Sequence, residues 1–197
     1  MAKEVVDLTC PGCGARISSD MKVCEWCHSP VIITEFKNVL RMPVQELNKY
    51  IHSYTKGLEE HPDNKDINFS IGMCYLKLRL YDKALDSFQK AMSEDINDSE
   101  LYFYSAVCML GGKKAFLTKR TDINKIEEYI NAAIMLEQKG IYYYFLAYIK
   151  YDFYERKYLN TEPTYKDCLR DSDRCGVSQN DKKTLFEILG VINTLEV

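Results

Sequence analysis

The stretch from Ile67 to Leu76 returns, in physical character, 34 residues further along the chain. Ile67 corresponds to Leu101, Phe69 to Phe103, Gly72 to Ala106, Met73 to Val107, Cys74 to Cys108 and Leu76 to Leu110. A unit of that length cannot bury its apolar face alone, so successive copies must stack and share one core. Small residues at Gly72, Ala84 and Ala91 let two helices approach closely, while Tyr75 and Phe88 fill the space between successive pairs. This self-similarity restricts the chain to a helical array more strongly than its composition does.

Ile71-Gly72-x-x-Tyr75, followed by Ala84-x-x-x-Phe88-x-x-Ala91, resembles the tetratricopeptide repeat (TPR), a helix-turn-helix unit, with Asn68 where tryptophan is usual. Upstream, Val44, Leu47, Ile51, Tyr54 and Leu58 recur at helical spacing between Pro43 and the stop His61-Pro62-Asp63-Asn64. That helix resembles the second half of a repeat, with Tyr54 and Gly57 in the places of Phe88 and Ala91. Downstream, the second repeat is interrupted between its helices by Gly111-Gly112-Lys113-Lys114-Ala115-Phe116-Leu117-Thr118-Lys119-Arg120. Its second helix is expected from about Asp122, with Ile126, Ile130 and Ala133 inward; Gly140 then breaks it before an aromatic helix starting at Ile141. Pro163 marks a further helix start, and Ser178-Gln179-Asn180-Asp181 is a capping box leading into Leu185-Phe186-Glu187-Ile188-Leu189. The repeats cover residues 44 to 155. The fold class expected is mainly α, a TPR-like antiparallel helical superhelix preceded by a small N-terminal β module.

That module rests on Cys10-Pro11-Gly12-Cys13 and Cys24-Glu25-Trp26-Cys27. Two residues within each pair let neighbouring thiolates grip one ion, and four thiolates leave a tetrahedral ion no open position. The pattern points to one structural Zn2+ held by Cys10, Cys13, Cys24 and Cys27. It resembles a zinc ribbon, and Cys10-Pro11-Gly12-Cys13-Gly14 fits that family's knuckle, whereas His28 stands where glycine commonly follows the last cysteine. Histidine 28 reads as a solvent-facing neighbour or as a substitute ligand. Cys24-Glu25-Trp26-Cys27-His28 also matches covalent haem attachment, but that requires export and Met1 to Asp7 carries no apolar stretch. A redox dithiol sits where a strand enters a helix, a context absent here. Residues 1–36 are too few to bury a core unaided, so metal binding supplies folding free energy. Val5, Val6 and Leu8, and later Val31, Ile32 and Ile33, provide short β-type runs. The organisation expected is a ribbon over 1–36 and a TPR-like helical domain over 37–197.

A formal charge of −3 and a pI near 5.7 supply no global basic field for nucleic acid or an acidic membrane. No apolar run has the length of a membrane span. Eight cysteines without an export signal predict a reducing, cytoplasmic setting. Cys74 and Cys108 read as core residues, Cys168 and Cys175 as buried or incidental thiols. Catalysis finds no motif: Gly111-Gly112-Lys113-Lys114 lacks the strand and spacing of a phosphate loop, and neither His52 nor His61 sits in a nucleophile-base pattern. Glu59-Glu60 and Glu127-Glu128 point to different sides of a helix. The chain is therefore not expected to be an enzyme.

The repeat resemblance implies a scaffold whose first helices line a concave groove, here with Phe69, Met73, Phe103, Val107, Phe145, Ile149 and Phe153 facing it. Those places are apolar, unlike the lysine, arginine and asparagine with which the family's best-known variant clamps a terminal carboxylate. They suit a peptide or amphipathic helix of a protein partner, or the chain's own segment Leu185 to Ile192. The aromatic cluster Tyr142-Tyr143-Tyr144-Phe145, with Tyr148, Tyr151, Phe153, Tyr154 and Tyr158, reads as core, since a stacking platform for single strands needs a basic groove. Lys113, Lys114, Lys119 and Arg120 read as solvated, with docking of an acidic partner as the alternative. The function expected is a cytoplasmic, non-enzymatic protein-protein adaptor. The alternative is a nucleic-acid-binding or transcription-associated zinc-ribbon regulator. Against it, residues 1–36 set Lys3, Arg16 and Lys22 against Glu4, Asp7, Asp20, Glu25 and Glu35.

Overall fold

Asn64 and Asp98 stand one repeat apart, and each starts a helix in the same way. The Asn64 side chain accepts from the Ile67 amide and the Asp98 side chain from the Glu100 amide, satisfying donors that a helix N-terminus leaves open. The computed structural model of the chain describes residues 5–196; residues 1–4, where the ribbon was expected to begin, and residue 197 lie outside the described residues. The chain is mainly helical with one small sheet, and it forms two compact units that divide between Ile96 and Asn97. Among the described residues no helix is long and apolar enough to cross a membrane.

The first unit begins with a two-stranded antiparallel sheet, β1 (Asp7–Thr9) on β2 (Arg16–Ser18), with Leu8 opposite Ile17. Helices α1 (Phe36–Leu40), α2 (Val44–Glu60), α3 (Lys65–Lys77) and α4 (Tyr81–Glu94) follow. The α3–α4 pair packs as the repeat pattern demands. A Cβ on Gly72 would meet Phe88 Cε1 at 2.6 Å, so the two helix axes come close only because position 72 is bare. The Phe69 and Phe88 rings lie 5.8 Å apart, and Ala84, Phe88 and Ala91 are fully buried. Asn68, where the repeat family usually has tryptophan, is buried and donates to the carbonyls of Pro62 (2.8 Å) and Asn64 (3.0 Å). It holds the α2–α3 turn by hydrogen bonds in place of ring packing.

The second unit comprises α5 (Ser99–Leu110), a 3₁₀ turn at Ala115–Leu117, α6 (Arg120–Leu136), α7 (Gly140–Ile149), α8 (Tyr165–Arg174) and α9 (Gln179–Leu189). Helix α6 starts at Arg120, slightly before the expected Asp122, and buries Ile123, Ile126, Ile130 and Ala133. Helix α7 runs into a single π turn, Lys150–Tyr154, and then a 3₁₀ turn, Glu155–Lys157. Pro163 precedes α8 without starting it; Thr164 is the cap, and with Asp167 it forms a capping box. Ser178 and Asp181 form the box expected at α9. From α9, Phe186 sets its ring edge-on against Tyr148 (5.1 Å) and Tyr144 (6.3 Å) of α7.

The sheet and α2 share apolar contacts. Leu8 Cδ2 comes within 2.6 Å, and Val6 Cγ1 within 3.6 Å, of where a Gly57 Cβ would stand. Gly57→Val should therefore lower the stability of the whole first unit by about 1–3 kcal/mol through overpacking. Urea unfolding followed by far-ultraviolet circular dichroism reads this directly. An unchanged midpoint would mean that the sheet moves off α2 without cost.

Candidate metal centre

Two tight turns of matching construction carry the four cysteines. In the first, the Cys10 amide donates to Ala15 O (2.8 Å) and the Gly14 amide to Cys10 O (2.9 Å). In the second, the Cys24 amide donates to Ser29 O (2.9 Å) and the His28 amide to Cys24 O (2.9 Å). Each turn needs a left-handed residue directly after its second cysteine, a conformation that L side chains resist. Gly14 supplies it at φ +77° and His28 at φ +57°. Replacing the usual glycine by histidine has thus left the second turn's geometry intact, at a backbone cost. An isolated bridge between Val23 and Pro30 closes the second turn.

The turns bring Cys10, Cys13, Cys24 and Cys27 together, with all four sulfur atoms within 4.8 Å of one another. Cys10 Sγ lies 3.4 Å from Cys27 Sγ, and Cys13 Sγ lies 3.7 Å from Cys24 Sγ. Thiolates at about 2.3 Å from a tetrahedral zinc ion would be about 3.8 Å apart, so the donor set fits such an ion closely. His28 is exposed and is not part of the cluster. Gly12 is required by proximity: a Cβ there would lie 2.5 Å from Ser29 Oγ and 3.0 Å from Cys27 Sγ.

The protonation states of the thiols are pulled apart by their surroundings. Burial pushes Cys10 up to about 12, whereas the Ser29 hydroxyl, its Oγ 3.4 Å from Cys27 Sγ, holds Cys27 down to about 6. Cys10 and Cys24 are buried, so ionising these two thiols is costly unless a cation compensates their charge.

The cluster is propped from one side by a stripe of hydroxyls on α2, at i, i+3 and i+4. Tyr50 donates to Pro30 O (2.9 Å), Ser53 to Thr9 O (2.6 Å) and Tyr54 to Val31 O (2.8 Å). From α3, Ser70 Oγ accepts from the Ile33 amide (3.0 Å) and donates to Asp66 O (2.7 Å). Burial raises both phenols above their ordinary range, so they stay protonated donors. Sequence reasoning placed Tyr54 only on an apolar face and passed over Tyr50, Ser53 and Ser70. Their signal was three hydroxyls on the inward face of one helix, each needing a partner once buried.

The residues expected to face a groove are all buried: Phe69, Met73, Phe103, Val107, Phe145, Ile149 and Phe153. Phe103 packs at 4.8 Å from the Tyr142 ring and 5.9 Å from Phe145. Of the proposed occupant segment, Leu185, Phe186, Ile188 and Leu189 are buried, while Ile192 is exposed. Cys74, Cys108 and Cys168 are buried and Cys175 is half-buried.

A second polar centre, unforeseen in the sequence, is buried in the second unit at the π turn. Lys150 pairs with Glu127 (3.0 Å) and donates to Thr161 Oγ1 (2.9 Å), and the Tyr154 hydroxyl donates to Glu127 Oε2 (3.0 Å). Asp152, with 0% exposure, accepts from the Phe116 amide (2.8 Å) and pairs with Arg156. Lys150 and Asp152 stand inside an otherwise aromatic run, and that break in pattern was the available signal.

No family model matches the chain, and no curated protein matches it. A solved structure titled "MamA MSR-1 C2" superposes with a TM-score of 0.49 at 12% identity, covering 76% of this chain and 79% of that one.

Two substitutions separate backbone strain from support of the donors. His28→Gly should keep one metal per chain and leave stability equal or up to about 1 kcal/mol higher, relief of the left-handed strain being partly offset by a looser unfolded chain. Gly12→Ala should weaken metal affinity by at least about tenfold, because Cys27 Sγ and Ser29 must shift. Competition with a chromogenic chelator measures both. A tenfold loss on His28→Gly would show that the imidazole supports the site.

Proposed function

We propose that Cys10, Cys13, Cys24 and Cys27 hold one structural Zn2+, and that the protein is a non-enzymatic, cytoplasmic adaptor working through protein-protein contact. The observation that carries the metal reading is the four-sulfur cluster with near-tetrahedral spacing. Four sulfur donors leave such an ion no position for water or substrate, so the ion's role is to hold the two turns together. Residues 1–36 then act as a zinc ribbon seated on α2, and residues 37–197 as the TPR-like helical part.

Two features support the adaptor reading. Helix pairs of the repeat type are scaffolds whose function lies in their surfaces. Trp26, the chain's single tryptophan, is 75% exposed on the second cysteine turn, three residues after the exposed Val23. Tryptophan is enriched at the energetic centres of interfaces, and the metal would present it on a rigid support. Contact of the ribbon with nucleic acid is weakly supported, because Arg16 is paired with Asp7 at 2.6 Å and offers phosphate little free charge.

Metal analysis of the purified chain should return about one zinc equivalent, abolished by Cys24→Ser. Equimolar iron, or full occupancy in the variant, overturns the zinc assignment. Purification of the full chain from its native cell should co-isolate a stoichiometric protein that Trp26→Ser releases. Recovery of nucleic acid in its place would favour a regulator instead of an adaptor.

A further inference from the structure

The insertion between α5 and α6 is held in place by the π turn of α7. Asp152 Oδ2 accepts from the Phe116 amide at 2.8 Å, the Tyr148 hydroxyl accepts from the Ala115 amide at 3.3 Å, and Ala115 is fully buried. The outer side of this anchored segment is strongly basic. Lys113, Lys114 and Lys119 come from the insertion, Arg120 from the first turn of α6, and Arg156 and Lys157 from the turn beside it. Aromatic rings weld the two groups together: Phe116 lies under Arg156 (4.8 Å) and Lys157 (5.0 Å), Phe153 under Lys157 (3.7 Å), and Tyr154 under Arg120 (4.6 Å). Among the described residues, Lys113, Lys114, Lys119, Arg120 and Lys157 have no carboxylate partner. Arg120 donates to Asn124. Asp152 is committed to Arg156, and the nearest other acids along the chain are Asp122 and Glu155. Leu117, 72% exposed, lies in sequence between Lys114 and Lys119, and Tyr158, 97% exposed, follows Lys157.

We infer that this face docks an acidic protein segment carrying an apolar side chain, with the lysines and arginines meeting its carboxylates and Leu117 and Tyr158 meeting its apolar residue. The inference rests on the adaptor reading and gives that adaptor a partner chemistry. Charge complementarity selects the occupant: a net cationic patch on a chain of overall charge −3 attracts a locally acidic partner. The rings argue against nucleic acid. Phe153 and Tyr154 are buried, and the half-buried Phe116 has Arg156 and Lys157 against its ring, so the three offer little surface for bases to stack on.

The test uses the full zinc-loaded chain and fluorescence anisotropy of a short labelled peptide of glutamates and aspartates bearing two leucines. The unsubstituted chain should bind it, more weakly as salt rises. Lys113→Glu with Lys119→Glu should lower affinity by at least about tenfold, and Leu117→Ser by about fivefold, each with helical content unchanged. Reversing Lys37 and Lys49 of the first unit, both exposed, should leave binding within about twofold. Absence of binding, an equal loss from the Lys37 and Lys49 reversal, or tighter binding of a labelled oligonucleotide of matched length overturns the inference. If the Lys113 and Lys119 reversal leaves peptide binding intact while the natural partner still co-isolates, the patch fails as the site and the adaptor reading stands.

Discussion

Hydrogen bonds from buried hydroxyls of α2 to backbone carbonyls of the cysteine module hold the first unit together. A two-stranded sheet with three residues in each strand is at best marginal alone, and the module's carbonyls at Thr9, Pro30 and Val31 face a helix, not water. Each such carbonyl, left without a donor, would cost about 1–3 kcal/mol. Tyr50, Ser53 and Tyr54 remove that cost from a single helical stripe, and Gly57 continues the stripe as a gap that admits Leu8. The cysteine turns inherit their position from this contact: Thr9 precedes Cys10, and Pro30 follows the turn made by Cys24 to Ser29.

The second unit solves a different problem. A long insertion between paired helices would leave backbone amides exposed or unsatisfied, and a side chain must reach back to hold it. Helix α7 provides that reach by widening to a π turn, a local change that alters which residues point inward and is often found where a helix carries a special side chain. Asp152 and Lys150 are turned into the interior there, and each is matched by an opposite charge. Buried pairs of this kind add little net stability, because desolvation offsets their attraction. Their effect is on geometry: they fix where the insertion leaves and rejoins the array.

Much of this was legible in the sequence, and the parts that were not share a cause. The 34-residue period announced the equivalent helices α3 and α5, and Gly72 against Phe88 is the contact their pattern encodes. Ser178 and Asp181 announced α9, since a cap is a local interaction between residues three apart. The cysteine spacing announced the four-sulfur cluster for the same reason. What escaped was decided by partners distant in sequence. Asn68 in the tryptophan position was legible as a departure, but its acceptors, Pro62 and Asn64, depend on how the α2–α3 turn is wound. Tyr50 and Ser53 carry no signal of their acceptors in the sequence until the cysteine module's carbonyls are brought to them. The inward orientation of Asp152 depends on the π turn, which no periodicity of 3.6 anticipates.

The insertion is fastened by its main chain. Its two hydrogen bonds to α7 and the π turn come from the amides of Ala115 and Phe116, and every residue except proline has such an amide. Apart from the small side chain demanded at the buried Ala115 and the ring of Phe116 under Arg156 and Lys157, the anchor places little requirement on what the loop displays. Sequence drift at positions 113, 117 or 119 can rewrite the charge and shape of this surface while the helix packing beneath stays as it is. Surface character and stability are in this way carried by separate residues, so the first can change without endangering the second.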